Sequence, residues 1–358
     1  MVHQYINNGY HIVLDVNSGA IHVVDEVVYD VIPLFEKHSS EEITGLLREK
    51  YSEEEIREAV EEVAQLKKEG SLFTPDTYEA PLIDFKKRPT VVKALCLHIA
   101  HDCNLACRYC FAEEGEYHGR RALMSYETGK AALDFLIANS GSRRNLEVDF
   151  FGGEPLMNFE VVKQLVAYGR EQEKLHDKHF RFTLTTNGVL LNDDIMEFAN
   201  REMDNVVLSI DGRKEVHDHM RPFRKGAGSY DLIVPKFQKF AKSRNQEKYY
   251  VRGTYTHFNT DFSKDVLHLA DLGFKQISVE PVVAEETDDY AIKEEDLPVL
   301  FKEYDDLAAE MVRRNKAGNG FNFFHFMINL SGGPCLRKRL SGCGAGREYM
   351  AVTPEGDL

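Results

Sequence analysis

The sequence of 358 residues has no uncharged apolar run of about 18 residues, the length that a bilayer-spanning helix requires. Its N-terminus has no basic stretch followed by an apolar one, which is the pattern of a secretory signal. Basic residues are in deficit, with 44 Lys and Arg against 59 Asp and Glu and a formal charge of −15. Because so negative a surface repels phosphate backbones and anionic lipids, we expect neither nucleic acid nor a membrane as a partner.

Cysteine is scarce, and the six cysteines of the chain are too few for a disulfide scaffold. Five of them lie in two short stretches, and this crowding indicates metal ligation. Because thiols stay reduced in the cytoplasm, we expect the protein to work there. Length alone predicts two to three domains of roughly 150 residues each.

Residues 1–75 have the pattern of a small domain. Residues 10–15 and 20–24 alternate in β fashion around a turn, and Ser39 and Ser52 each stand three residues before a helix-capping glutamate. A β-hairpin with three helices predicts a winged-helix-like module. The segment carries a net charge of −9, which argues against DNA binding. The edge of its hairpin could instead accept a peptide as an added strand.

Residues 91–316 alternate between short apolar strands and amphipathic helices. Six strand-then-helix units predict a parallel sheet covered by helices, either a doubly wound sheet or a partial barrel. In both architectures ligands bind at the carboxyl ends of the strands. A linker is predicted at 76–90, and a Gly-rich segment of different character at 317–358. The predicted strands are 91–99, 146–151, 180–186, 205–210, 249–256 and 274–279.

Three cysteines follow the first of these strands in the spacing C-x3-C-x2-C, at Cys103, Cys107 and Cys110. Three thiolates on a short loop can hold three irons of a [4Fe–4S] cube and leave the fourth iron open for a substrate. The alternative is a structural zinc site, for which His101 or His118 would supply a fourth ligand.

This spacing, with Tyr109 just before the last cysteine, resembles the signature of the radical S-adenosylmethionine (SAM) enzymes. The segment FFGGEP at 150–155 resembles the GGEP segment of that family, and TTNG at 185–188 and LSIDG at 208–212 end the third and fourth strands. The resemblance implies an α/β fold, a partial (β/α)6 radical SAM barrel over 91–316. It also implies a [4Fe–4S] cluster, SAM as cofactor, an external electron donor, and cleavage of SAM to a 5′-deoxyadenosyl radical.

The resemblance assigns SAM contacts to individual positions. The two glycines of GGEP and Glu154 would bind the ammonium group of the SAM methionine. Asn187 and Ser209 would face its ribose or carboxylate, and Arg252 would pair with the carboxylate. The implied SAM contacts are Tyr109, Gly152, Gly153, Glu154, Asn187, Ser209 and Arg252.

Plainer interpretations stand beside these assignments. Asn187 and Asp211 precede glycines and could be ordinary turn residues, and Arg252 could be a surface charge on a strand. Residues 217–219 (HDH) predict a solvated, charged loop rather than a metal site. Residues 280–281 (EP) end the sixth strand and are expected to line the substrate pocket.

A second cysteine pair, Cys335 and Cys343, resembles the start of the SPASM extension, which binds auxiliary [4Fe–4S] clusters in peptide-modifying radical SAM enzymes. That pattern would require its next cysteine at position 361, so we expect the sequence to be truncated. The plainer interpretation is two free thiols. Cys96, in the middle of the first barrel strand, is predicted to be a buried core thiol.

Together the segments resemble the maturases of ribosomally made peptides, with a PqqD-like recognition domain, a radical SAM barrel and the start of a SPASM extension. The nearest resemblance is to the thioether-forming maturases of six-cysteine (SCIFF) peptides. It implies that a precursor peptide binds through its leader and receives a bond between a Cys sulfur and a backbone α-carbon. The alternatives are formylglycine formation, a carbon–carbon crosslink, or a non-enzymatic, zinc-stabilised peptide-binding protein.

Overall fold

The computed structural model describes residues 1–76, 90–113, 115–117, 119–328 and 344–358. Most of the predicted linker at 76–90 lies outside these ranges, as do His118, Cys335 and Cys343. The chain divides into two compact units, residues 1–88 with 328–343 and residues 89–327 with 344–358. Within the described ranges, none of the helices is long and apolar enough to cross a bilayer.

The N-terminal unit is a three-stranded antiparallel sheet followed by three helices. The predicted hairpin is present, but the structure adds a strand before it, which sequence patterning missed because polar and apolar residues do not alternate there. Both predicted helix caps at Ser39 and Ser52 are confirmed as capping boxes. The elements are β1 (Val2–Asn7), β2 (Tyr10–Asp15), β3 (Ile21–Val24), α1 (Glu26–Phe35), α2 (Ser40–Leu47) and α3 (Glu53–Lys68).

This unit has a hydrophobic core of its own. Val13 from the sheet and Val31, Ile56 and Val63 from the helices are completely buried. The apolar stripe of α3 therefore faces the interior, as its spacing predicts. The burial of each such side chain stabilises the folded state by about 1.5–3 kcal/mol.

The second unit is built on one open sheet in the order β11-β10-β9-β8-β7-β6-β4-β12. All pairs in this order are parallel, and β5 pairs antiparallel with the end of β4. The six predicted strands are therefore confirmed as neighbours in chain order. The strands are β4 (Ala94–His101), β5 (Ala122–Leu123), β6 (Asn145–Gly152), β7 (His179–Thr186), β8 (Asn205–Ser209), β9 (Tyr249–Tyr255), β10 (Gln276–Pro281), β11 (Asn322–Phe323) and β12 (Tyr349–Val352).

Helices follow the strands, and their buried faces complete the core with apolar residues of the sheet. Residues 294–296 form a 3-10 turn, and the last helix begins directly after it at Leu297. A seventh helix, α7, was not predicted. The helices are α4 (Tyr126–Asn139), α5 (Phe159–His176), α6 (Asp193–Glu202), α7 (Lys214–Met220), α8 (Tyr230–Ser243), α9 (Phe262–Asp271) and α10 (Leu297–Lys316).

Residues 344–358 belong to the same compact unit as the sheet. Their strand β12 pairs in parallel with β4, from Tyr349 beside Ala94 to Val352 beside Leu97. The segment predicted to begin a C-terminal extension thus supplies an edge strand to the central sheet. Because β12 lies beside β4, Tyr349 is a direct neighbour of Ala94.

Candidate functional site

A pocket of about 380 Å³ opens at the carboxyl ends of the parallel strands in the second unit. The three motif cysteines line one wall, and residues from the ends of β6 to β10 line the rest. The structure thus brings together Cys103, Cys107, Cys110, Tyr109, Gly152, Gly153, Asn187, Ser209 and Arg252. Glu280 and Pro281 also line the pocket, as their position at the end of β10 predicts.

The cysteine loop follows β4 and is held by a segment that follows α7. The Ala106 amide donates to the Pro222 carbonyl and the Arg108 amide to the Met220 carbonyl, each at 2.9 Å. The side chain of Arg224 donates to the Cys103 carbonyl at 2.8 Å. The loop conformation therefore depends on a segment more than a hundred residues later, which local sequence patterns do not reveal.

Burial disfavours the thiolate forms of two of the three motif cysteines, Cys103 and Cys107, and so raises their pKa values. Burial raises the pKa of the Cys103 thiol to about 12. Burial also raises the pKa of the Cys107 thiol to about 11, against the positive charge of Arg221. Metal binding at this loop would therefore have to displace protons, which makes loading dependent on pH.

The two glycines of the GGEP segment are required by the packing of strand ends. A Cβ on Gly153 would lie 2.2 Å from the Asp102 carbonyl oxygen, and one on Gly152 would lie 2.4 Å from the Ala100 carbonyl oxygen. The Gly153 amide donates to that same Ala100 oxygen at 2.7 Å. Close approach of backbone to backbone thus explains these glycines, in addition to their place on the pocket wall.

Glu154 is not among the residues that line the pocket, and its contact with the SAM ammonium group stays a prediction. Its side chain is completely buried. It accepts hydrogen bonds from the Thr186 hydroxyl and the Asn187 amide, both at 2.8 Å, and from the Leu156 amide at 3.0 Å. Burial raises its pKa to about 7. In the structure this carboxyl group joins the end of β6 to the end of β7.

Asn187 is a turn residue and also lines the pocket. Its side-chain oxygen accepts from the Val189 amide at 3.0 Å, which is turn chemistry. Its side-chain nitrogen donates to Asn104 Oδ1 at 2.7 Å and lies 3.6 Å from Cys103 Sγ. The residue therefore links the end of β7 to the cysteine loop.

Ser209 and Arg252 lie on neighbouring strands, directly opposite each other in the register of β8 and β9. The Arg252 guanidinium forms an ion pair with Glu280 on the next strand. Its side chain is 48% exposed. An arginine engaged on one side retains further N–H donors for a carboxylate.

A buried group that sequence reasoning underrated lies beside the cysteines. Asp211 is completely buried and pairs with Arg221, whose Nε is 2.9 Å from the carboxylate. The Tyr109 hydroxyl donates to both carboxylate oxygens of Asp211 at 2.8 Å. The sequence did offer a signal for Asp211, because this residue comes just after the fourth predicted strand. No sequence pattern indicated its partner Arg221.

The prediction of a solvated loop at 217–219 is wrong. These residues lie in α7, and His217 is completely buried. One ring nitrogen lies 2.9 Å from the Ser229 hydroxyl and the other accepts from the Asp211 amide at 3.3 Å. Burial lowers the pKa of His217 to about 4, so the ring is neutral at physiological pH.

Cys96 is buried, as predicted for a core thiol. Burial raises its pKa to about 12, with a hydrogen bond to Tyr349 acting in the opposite direction. Tyr349 also donates to Asp149 at 2.9 Å. The thiol thus belongs to a polar row across the sheet rather than to an entirely apolar core.

The donor set fits an iron–sulfur cube, because three cysteines line the same pocket. Within the described part of the chain, no three His, Cys, Asp or Glu side chains converge closely enough to hold one metal ion. A zinc ion needs its ligands about 2.0–2.3 Å from one centre, whereas the cysteines of a cube each hold a different iron. His101 does not line the pocket. Its Nε2 lies 3.0 Å from His98 Nδ1.

An unpaired donor in the same loop is consistent with a bound acceptor. The buried side-chain nitrogen of Asn104 has no hydrogen-bond partner among the described residues. Buried polar atoms are almost always hydrogen-bonded, so such an atom calls for an acceptor supplied by a bound group. Cluster sulfides and carboxylates are both acceptors of this kind.

The middle of the chain matches a known protein family. Residues 97–272 match the family model of the radical SAM superfamily. An uncharacterised protein of Methanocaldococcus jannaschii is 31% identical over 189 residues, which is 52% of this chain and 62% of that protein. The radical SAM cyclopropyl synthase TigE of Paramaledivibacter caminithermalis is 23% identical over 184 residues, covering 48% of this chain and 38% of that enzyme.

Among solved structures, Streptococcus suis SuiB bound to its precursor peptide SuiA has a TM-score of 0.55 at 17% identity. The similarity covers 99% of this chain and 81% of SuiB. At that identity it shows a shared fold. The chain spans less than two thirds of the length of both sequence relatives.

Proposed function

We propose that the protein is a radical SAM enzyme, which the match of residues 97–272 to the model of that superfamily supports, and that it is a maturase that installs a thioether in a ribosomally made peptide. The observation that carries the proposal is the pocket that three cysteines share with Asn187, Ser209 and Arg252. Such a pocket offers metal ligands on one wall and polar contacts for a cofactor on the other.

Cys103, Cys107 and Cys110 would hold a [4Fe–4S] cluster with one iron free of protein ligands. When bound, this cluster supplies the electron that splits SAM into methionine and a 5′-deoxyadenosyl radical, which takes hydrogen from an unactivated carbon. The role of the chain is to bind and orient the cofactor and to keep water away from the pocket.

The polar side chains of the pocket are suited to an amino-acid moiety. Arg252 can offer its unpaired N–H groups to a carboxylate, and the Ser209 hydroxyl stands on the neighbouring strand. Glu280 neutralises part of the charge of Arg252, so the guanidinium is held in place before a ligand arrives. Gly152 and Gly153 carry no side chain that would narrow the wall beside the cysteines.

Two apolar side chains at the pocket support a large, flexible substrate such as a peptide. Phe111 is 69% exposed and Val283 is 94% exposed, although both line the pocket. Exposed apolar groups beside a pocket are typical of surfaces that a binding partner covers. We assign them to the substrate side of the site.

The N-terminal unit would recognise the leader of the precursor peptide. Among the described residues it is a three-stranded sheet whose outer strands are β1 and β3, and it has a hydrophobic core of its own. A sheet edge accepts an extended peptide by main-chain hydrogen bonding. SuiB, which has been crystallised with a precursor peptide, shares its fold over 99% of this chain.

Cys335 and Cys343 lie outside the described residues and stay proposed ligands of auxiliary [4Fe–4S] clusters. We assign the auxiliary clusters to binding the substrate thiolate or to accepting the surplus electron of thioether formation. The number of such clusters is left open.

Mass spectrometry tests the reaction. The reconstituted protein is incubated anaerobically with SAM, a reductant and a cysteine-containing precursor peptide encoded beside its gene. We expect a product lighter by two hydrogens, with no added oxygen and one cysteine protected from alkylation. A product in which an aldehyde replaces the thiol, or one that keeps its free cysteine, would contradict thioether formation.

A variant without the three motif cysteines, carrying Cys103→Ala, Cys107→Ala and Cys110→Ala, is the matched control. It should form no 5′-deoxyadenosine, whereas the parent protein should be brown and bind about four irons at this site. A colourless parent protein that binds zinc would reject the enzymatic proposal in favour of a zinc-stabilised binding protein.

A further inference from the structure

An ion pair is buried directly beside the middle cysteine of the motif. Arg221 and Asp211 are 2.9 Å apart, and their side chains are 13% and 0% exposed. The Arg221 guanidinium lies 5.3 Å from the centre of the Tyr109 ring, which is two residues from Cys107. Burying two charges costs desolvation free energy, so a buried ion pair at this position points to a role in the site.

Arg221 also lines the pocket that the three cysteines share, and its positive charge favours the ionised form of the Cys107 thiol, which lowers its pKa against the larger effect of burial. Since a guanidinium is always ionised in proteins, a fixed positive charge stands beside this ligand whatever the pH.

The position of this charge is rigid. Met220 and Pro222, the residues on either side of Arg221, accept main-chain hydrogen bonds from the cysteine loop at Arg108 and Ala106. The Arg221 carbonyl accepts from the Ser229 hydroxyl at 2.8 Å. The backbone that carries the guanidinium and the backbone that carries Cys107 are therefore joined directly.

We propose that Arg221, oriented by Asp211, is a positioning residue that raises the reduction potential of the [4Fe–4S] cluster through its positive charge at the cysteine pocket. The inference rests on the proposed function, because it requires a cluster on the three cysteines. Reduction adds one negative charge to the cluster, and a nearby positive charge favours the more negative state.

The sign of the effect provides the test, which is an EPR-monitored redox titration of the reconstituted full chain. Arg221→Gln removes the positive charge, so its midpoint potential should be lower than that of the parent. Asp211→Asn removes a negative charge while retaining a side-chain oxygen for Arg221 and Tyr109, so its midpoint should be higher. Arg221→Lys retains the charge and should restore the parent midpoint at least in part.

The chain contains a matched control in the same region. Arg213 forms a comparable ion pair with Asp265, at 2.8 Å and with side chains 23% and 0% exposed. Arg213 does not line the pocket. Arg213→Gln removes a half-buried arginine at similar structural cost and should leave the midpoint unchanged.

The outcomes separate this inference from the proposed function. A parent protein that binds no [4Fe–4S] cluster refutes the proposed function, and this inference with it. A parent that binds the cluster and cleaves SAM, with the same midpoint in Arg221→Gln and Arg213→Gln, refutes only the role of Arg221. If Arg221→Gln fails to hold a cluster, Asp211→Asn decides, since an unchanged or lower midpoint there overturns the inference.

Discussion

Glu154 shows how one buried carboxyl group connects two strand ends. It accepts from Thr186 and Asn187 at the end of β7 and from Leu156 just after β6. These hydrogen bonds favour the ionised form, but complete burial outweighs them and raises the pKa to about 7. The carboxyl group is therefore only partly ionised near pH 7, and it lies inside the scaffold rather than in the pocket.

This pKa predicts a specific dependence of stability on pH. The unfolded chain releases the proton near pH 4.5, whereas the folded chain holds it up to about pH 7. Between these values the folded state binds more protons, so the free energy of unfolding should fall as pH rises, by about 3 kcal/mol from this group. Glu154→Gln should lack this component in urea unfolding at pH 5 and pH 8.

Glu54→Gln, on the exposed side of α3, is the control and should follow the parent curve. Because glutamine has a single acceptor oxygen, Glu154→Gln should also be less stable overall. Parallel pH curves for the parent and Glu154→Gln would show that the carboxyl group does not titrate in this range.

Among the secondary-structure elements, α7 and the segment after it determine the shape of the cysteine loop. The helix buries His217, and the following residues 220–224 bind the loop through main-chain and side-chain hydrogen bonds. The iron-binding motif therefore depends on an element that contributes none of its cysteines.

The backbone is also tightly packed where the end of β6 meets the cysteine loop. Adding a single methyl group there should therefore have a measurable effect. Gly153→Ala would place a Cβ 2.2 Å from the Asp102 carbonyl oxygen, which is backbone and cannot rotate away. We expect a loss of about 1–3 kcal/mol in unfolding free energy, together with reduced iron loading. Urea denaturation and an iron assay measure both.

Gly45→Ala is the matched substitution at a permissive position. Gly45 lies inside α2, and a Cβ there would have no atom within 4 Å. Because alanine favours a helix, this change should stabilise the protein by about 0.5–1 kcal/mol. An equal loss of iron in both variants would show that the effect of Gly153→Ala is not due to the contact with Asp102.

On the scale of the whole molecule, two compact units each contain their own hydrophobic core. The division separates the proposed recognition of the leader from the proposed chemistry. A protein of this kind can lose one activity and keep the other, provided that the remaining unit still folds.

Deleting residues 1–76 should therefore leave SAM cleavage intact and weaken binding of the leader peptide. We expect at least a roughly tenfold loss of affinity, equivalent to about 1.4 kcal/mol, measured by fluorescence anisotropy of a labelled leader. The isolated segment 1–76 should bind the same leader. Unchanged affinity in the deletion variant would discard the proposed role of this unit.

Much of the architecture follows from the sequence alone, because apolar periodicity, helix caps and metal-ligand spacing are local properties. The alternation of strands and helices placed Cys103, Asn187 and Ser209 at strand ends, and parallel strands bring such ends together. The hydrogen-bonded partners of the site depend instead on contacts between distant segments. Only the tertiary structure turned Glu154 inward, buried His217, and set Arg221 against Cys107, because burial and packing decide how each charge is satisfied.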